Sequence, residues 1–72
     1  MKENYTTILN YPINTPVKID SRHTNGIGLV IGYAFNSHNE IVLKVQTIED
    51  INNKPEVLWF HSSLLTKLSD LV

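Results

Sequence analysis

The hydrophobic and polar residues of this chain alternate along short segments, and this alternation predicts β-strands. Residues 17–20 alternate apolar and polar, as a half-buried strand does. Residues 27–35 form the longest predicted strand, with large side chains at odd positions and mostly small ones, including Gly28 and Gly32, between them. We expect the large side chains of this strand to face the core and the small ones to let it bend.

Three more strands complete the predicted sheet, at residues 41–48, 56–60 and 67–71. A polar turn at residues 36–40 joins the first of these to the long strand as a hairpin, and a polar loop is expected at residues 49–55. Every second residue of the first strand is expected on its inner face: Ile41, Leu43, Val45 and Thr47.

The stretch at residues 61–65 lies between the last two predicted strands. It is too short for a stable α-helix and predicts a single 3-10 turn. Ser62 and Ser63 stand before Leu64 in this stretch, and serine is a favoured residue at helix N-termini. We expect these two serines to cap the turn.

Two prolines, Pro12 and Pro16, set the N-terminal segment apart, because each favours extended backbone at the residue before it. Residues 5–11 are rich in β-branched and aromatic residues, which favour extended structure over helix. We therefore expect residues 1–15 to form an extended arm or an added strand, and residues 16–72 to form the folded domain.

The order of these elements resembles the SH3-like small barrel, in the broad sense that includes KOW-type modules. The segments that carry the resemblance are residues 16–19, 26–33, 41–45 and 58–65. The resemblance extends over residues 16–71 and implies an all-β fold, a five-stranded barrel with one 3-10 turn. The N-terminal extended arm precedes the part of the chain that carries the resemblance. The resemblance contains no catalytic signature.

Composition narrows the classes of protein that the chain can represent. Six Lys and Arg against seven Asp and Glu give a net charge of −1, which argues against a generic polyanion binder. The absence of cysteine excludes disulfides and thiolate metal sites. No apolar run approaches the roughly 18 residues of a membrane span, and the N-terminal residues lack the apolar region of a signal peptide. We therefore expect a cytoplasmic protein with no membrane partner.

No pattern in the chain predicts catalysis or metal binding. The three histidines lack the spacing of zinc ligands: His23, His38 and His61. Asp20, His23 and Ser62 are the residue types of a nucleophilic triad, but no nucleophile elbow surrounds Ser62. A barrel of this size also lacks room for a ligand pocket of a few hundred Å³. We expect no catalytic residue, no cofactor and no small-molecule substrate.

The chain has more large apolar side chains than one small barrel needs, which favours a surface for a partner. Trp59 and Phe60 are consecutive in a strand, so only one of them can enter the core, and the sequence leaves open which. The predicted function is a non-enzymatic protein-binding module, such as a bacterial or phage accessory protein, that docks on a larger protein or complex or on a second copy, as in a homodimer. The candidate contact residues are Tyr5, Tyr11, Tyr33, Phe35, Trp59 and Phe60.

A nucleic-acid-associated barrel with a role in transcription or translation is the alternative function. In that hypothesis Lys18, Arg22 and Lys44 contact phosphates, with Tyr33 on the same face. Contacts of this kind make binding fall steeply with salt concentration.

Overall fold

The computed structural model describes residues 2–48 and 54–71, which form five antiparallel strands, one helix and two 3-10 turns. The elements are α1 (Lys2–Asn10), β1 (Pro16–Asp20), β2 (Asn25–Phe35), β3 (Ile41–Thr47), β4 (Val57–Phe60), η1 (Ser62–Leu64), β5 (Leu65–Lys67) and η2 (Leu68–Leu71). The sheet order is β4–β3–β2–β1–β5, and β4 and β5 are its edges, so the sheet is not closed. The predicted five-stranded β architecture is confirmed, but the fold is mostly β rather than all-β, and the expected closed barrel is an open sheet.

The core consists of alternate side chains from all five strands. Among the described residues, the buried hydrophobic side chains are Val17, Ile19, Val30, Ile41, Leu43, Val45, Phe60 and Leu65. Each fully buried aliphatic side chain contributes about 1.5–3 kcal/mol of transfer free energy. The predicted inner face of β3 is confirmed at Ile41, Leu43 and Val45, and Thr47 is half-buried.

A β-bulge decides which side chains of β2 are buried. The register against β3 shifts between Val30 and Gly32, which leaves Ile31 as the extra residue. Val30 and, beyond the bulge, Tyr33 lie opposite core residues of β3, so the core-facing positions change from even to odd numbers. The prediction that the large odd-numbered side chains of this strand face the core is therefore wrong at Ile27, which is exposed.

The N-terminal segment is helical over Lys2–Asn10, so the expected extended arm is wrong. Side-chain contacts of Asn4 and Tyr11 with the sheet hold the helix, and such tertiary contacts override weak local propensity. Beyond the helix, Asn14 adopts a left-handed conformation with φ of 75°, which asparagine tolerates well. Its N–H donates to the carbonyl of Val30 at 2.7 Å, and this bond positions the chain beside β2 just before β1 begins.

The C-terminal residues also differ from the prediction. The last strand is Leu65–Lys67 rather than residues 67–71, because Leu65 lies opposite Ile19 of β1 in the observed register. A second 3-10 turn, η2, follows where only one turn was expected. Of the predicted loop at residues 49–55, residues 49–53 lie outside the described part of the chain. No helix in the described ranges is long and apolar enough to cross a membrane.

Candidate functional site

One face of α1 anchors the helix on the hairpin that joins β2 and β3. The side chain of Asn4 makes two hydrogen bonds, accepting from the Ile41 N–H at 2.9 Å and donating to the Asn39 carbonyl at 3.0 Å. Thr7 lies three residues further along and is half-buried, as Asn4 is. This spacing puts the two polar side chains on one side of the helix, which is the side that contacts the sheet.

The apolar residues of α1 lie on a different face of the helix, and this face is exposed. Tyr5, Ile8 and Leu9 are spaced i, i+3 and i+4, so they share a helix face. Their exposed fractions are 66%, 37% and 61%. We call these three residues the α1 stripe. An amphipathic helix ordinarily turns its apolar side toward the core, whereas this helix turns it outward.

Hydrogen bonds of two tyrosines connect the residue that follows α1 to the sheet. The Tyr11 hydroxyl donates to the Leu65 carbonyl at 3.1 Å, and the Tyr33 hydroxyl donates to the Tyr11 carbonyl. Burial raises the pKa of both phenols above the usual value, and the negative charge of Asp70 adds to the rise in the pKa of Tyr11. Both tyrosines therefore serve intramolecular contacts.

The structure divides the six predicted contact residues into two groups. Phe60 is in the core with 8% exposure, and Tyr11 and Tyr33 pack against that core. The exposed members are Tyr5, Phe35 and Trp59. Sequence reasoning missed Ile8 and Leu9, although the helical spacing of residues 5, 8 and 9 was a signal that could have found them.

Trp59 lies on the outer face of the sheet, opposite Lys44 in the register of β3 and β4. It is 50% exposed, and the Lys44 ammonium is 5.6 Å from the ring centroid, which is cation–π geometry. Lys18 is also on this outer face, between two core residues of β1. Tyr33 faces the other side of the sheet, and Arg22 is exposed in the loop between β1 and β2.

His61 caps η1, where Ser62 and Ser63 were expected to be the caps. Its Nδ1 accepts the Ser63 N–H at 3.2 Å and lies 3.0 Å from the Ser63 hydroxyl. Its Nε2 is 3.6 Å from a carboxylate oxygen of Glu40. The imidazole of His61 accepts the hydrogen bond that a capping serine side chain would otherwise accept. The expectation that Ser62 and Ser63 cap the turn is therefore wrong.

A surface cleft of about 230 Å³ lies between the β1–β2 loop and the ends of β3 and β4. Its lining includes the side chains of His23, Lys54 and Glu56. Ligand pockets usually occupy about 300–1,000 Å³ and are mainly apolar, so this polar cleft is smaller than a typical binding pocket. No group of three potential metal-ligating residues occurs in the part of the chain that the structure describes.

Comparison with family models finds no match to this chain, and comparisons with curated proteins and with solved structures find no significant match.

Proposed function

We propose that the chain is a small, non-enzymatic protein-binding module of the cytoplasm, in which an open SH3-like sheet carries α1 as its docking element. The antiparallel order β4–β3–β2–β1–β5, with a 3-10 turn between β4 and β5, supports the SH3-like assignment. The partner is a protein, which contacts the α1 stripe.

The observation that carries this proposal is the orientation of α1. The helix uses polar Asn4 to bind the sheet and leaves the α1 stripe exposed. Of the described residues, every buried hydrophobic side chain lies in a strand, so the core is complete without the stripe. Exposed apolar patches that the fold itself does not need are typical of protein-binding surfaces.

The spacing of the α1 stripe indicates the shape of the partner's surface. Apolar anchors at i, i+3 and i+4 fit a hydrophobic groove, as in complexes where an amphipathic helix lies in a groove. Leu9 is the most exposed aliphatic residue of the stripe. A charged side chain at this position would have to be desolvated in the groove, so Leu9→Lys should weaken binding about tenfold or more.

Affinity capture from a lysate of the source cells, with three bait proteins, tests the proposal. The baits are the wild type, Leu9→Lys and the matched control Ile13→Lys, whose exposed apolar residue lies outside α1. We expect the wild type and Ile13→Lys to retain the same protein and Leu9→Lys to lose it. Retention of that protein by all three baits, or capture of nothing by the wild type, would contradict the proposal.

A second candidate function is nucleic-acid binding, favoured by the position of Lys18, Lys44 and Trp59 on one outer face. Aromatic side chains stack on bases and lysines contact phosphates in such interfaces. A fluorescence-anisotropy titration with single-stranded DNA and RNA at low salt measures this binding. Affinity that falls steeply with salt and is lost in Trp59→Ala would support it, whereas no binding at low salt would exclude it.

A further inference from the structure

The register of β4 shows which of its backbone groups point away from the sheet. The Thr47 N–H donates to the Glu56 carbonyl at 2.8 Å, and the Glu56 N–H donates to the Thr47 hydroxyl at 2.8 Å, so the backbone groups of these two residues face each other. Bonded and non-bonded pairs alternate along an antiparallel ladder. Val57 and Trp59 follow Glu56 by one and three positions, so their N–H and C=O groups point away from β3. Within residues 2–48 and 54–71, no other segment hydrogen-bonds to these groups.

The two edge strands of the sheet, β5 and β4, differ in how well they are protected from pairing with a further strand. The β5 edge is three residues long, carries Lys67, and has its Leu65 carbonyl bonded to the Tyr11 hydroxyl. Short length and lysine are devices that protect an edge strand from further pairing. β4 contains no lysine, proline or bulge, and its outer-face side chains Val57 and Trp59 are 48% and 50% exposed. Among the residues that the structure describes, none pairs with the β4 edge, which can therefore accept a further strand.

We infer that β4 pairs with β4 of a second copy of this chain, antiparallel about a twofold axis at Leu58. In this register Val57 lies opposite Trp59 of the second copy, and each of these pairs exchanges two backbone hydrogen bonds. A shift of the register by one residue would place the outward N–H and C=O groups of Trp59 opposite the backbone groups of Leu58 of the second copy. Those groups point toward their own β3 and cannot form bonds across the edge. A twofold axis at Val57 would instead place Trp59 opposite Pro55, which has no N–H. The axis at Leu58 is thus the register that uses both outward residues.

The side chains agree with this register. Trp59 and Val57 of the second copy form an aromatic–β-branched pair, which is among the favourable cross-strand pairs. The Lys44 ammonium lies over the Trp59 ring, and the Trp59 side chain is still 50% exposed, so part of it is available to a second copy. On the inner face, half-buried Leu58 lies opposite itself, and no like charges meet across the edge. The contact is isologous, as a twofold dimer requires.

This inference goes beyond the proposed function, because it uses the β4 edge and not the α1 stripe. A four-residue edge is much smaller than the 20–30 residues per side of a standard interface. The dimer should therefore form reversibly with concentration, and sedimentation should be measured from about 10 μM to about 1 mM. Trp59 is the sole tryptophan of the chain, so its emission should shift to shorter wavelength as the dimer forms.

Amide hydrogen exchange in the wild-type protein identifies the surface. The amides of Val57 and Trp59 should exchange more slowly as concentration rises. The Leu58 amide, which the ladder bonds to Val45, should be protected equally at low and high concentration. A monomer throughout the range, or a dimer in which the Val57 and Trp59 amides exchange at the monomer rate, would overturn the inference.

The substitution Val57→Pro tests the same surface with a variant. Proline removes the outward N–H and no bond to β3, as edge strands tolerate, and dimerisation should weaken about tenfold or more. Val57→Ile, the matched control, should dimerise as the wild type does. Dimerisation that persists in Val57→Pro and is lost in Leu9→Lys would assign the contact to the α1 stripe and refute the β4 pairing. These measurements use the purified protein alone. A result against the β4 pairing can therefore be distinguished from a result of the lysate capture against the proposed function.

Discussion

Gly28 shows how a single residue determines the fit of β2 against β3. A Cβ atom at this position would lie 2.6 Å from the Val45 side chain and 2.8 Å from the Gln46 carbonyl oxygen. Distances this short force the backbone to move, because a carbonyl oxygen cannot rotate away as the end of a side chain can. Glycine is needed at this position for the close approach of the two strands.

The substitution Gly28→Ala should therefore lower the free energy of unfolding by about 1–3 kcal/mol, as overpacking does in a buried region. Gly32→Ala is the matched control, since its Cβ would lie 3.6 Å from the nearest atom, which is ordinary contact. That control should change stability by less than about 1 kcal/mol. Urea denaturation of both variants measures the difference, and equal stabilities would contradict the packing argument.

Tyr11 contributes a pH dependence that can be measured. Its folded-state pKa lies above the usual value of about 10 because burial disfavours the phenolate and Asp70 adds negative charge. A raised folded-state pKa means that the stabilisation is present below about pH 10 and is lost as pH rises through the folded value. The urea midpoint of the wild type should thus be nearly constant from about pH 8 to about pH 9 and should fall as the pH rises above about 10.

In Tyr11→Phe this fall should be smaller, whereas the control Tyr5→Phe, which changes an exposed tyrosine, should retain the wild-type dependence. An identical fall in all three proteins would show that Tyr11 does not cause it.

At the scale of elements, α1 depends on contacts with the sheet. A nine-residue helix is too short to persist alone in water, and Asn4 provides two of its bonds to the hairpin. Asn4→Ala should cost about 1–3 kcal/mol, because the half-buried Ile41 N–H loses its partner. The far-ultraviolet circular dichroism signal of the helix should decrease as well. Asn10→Ala, the same change at an exposed position of the same helix, should alter neither measurement.

The elements also show what can be predicted from the sequence. Strict alternation in β3 identified its buried face, because the bulge lies in β2 and the period of two along β3 itself is unbroken. The bulge at Ile31 could not be predicted, since its cause is the pairing with β3 and not a local pattern. The burial of Phe60 rather than Trp59 likewise depends on which face of β4 meets the core, and alternation alone does not specify this.

The helix was missed for a related reason. β-branched and aromatic residues at 5–11 favour extended structure by propensity, but the bonds of Asn4 and Tyr11 to the sheet decide the outcome. The periodicity of the α1 stripe was visible in the sequence. Its outward orientation was not, because it follows from the docking of the polar face.

For the whole molecule, the sheet and the helix have separate roles. The strands supply the described core. The apolar residues of the α1 stripe are exposed and do not belong to that core. A substitution in the α1 stripe should consequently change binding more than folding. Exposed substitutions usually change stability by less than about 0.5 kcal/mol, so Leu9→Lys should unfold in urea at nearly the wild-type midpoint.

Site-specific photo-crosslinking in the source cells shows whether the α1 stripe contacts a partner protein. A benzoylphenylalanine residue is introduced at Leu9 in the α1 stripe or, as the control, at exposed Arg22 in the β1–β2 loop. We expect one discrete crosslinked protein from position 9 and none from position 22. Equal products from both positions, or no product from position 9, would show that the exposed face of α1 is not a docking surface.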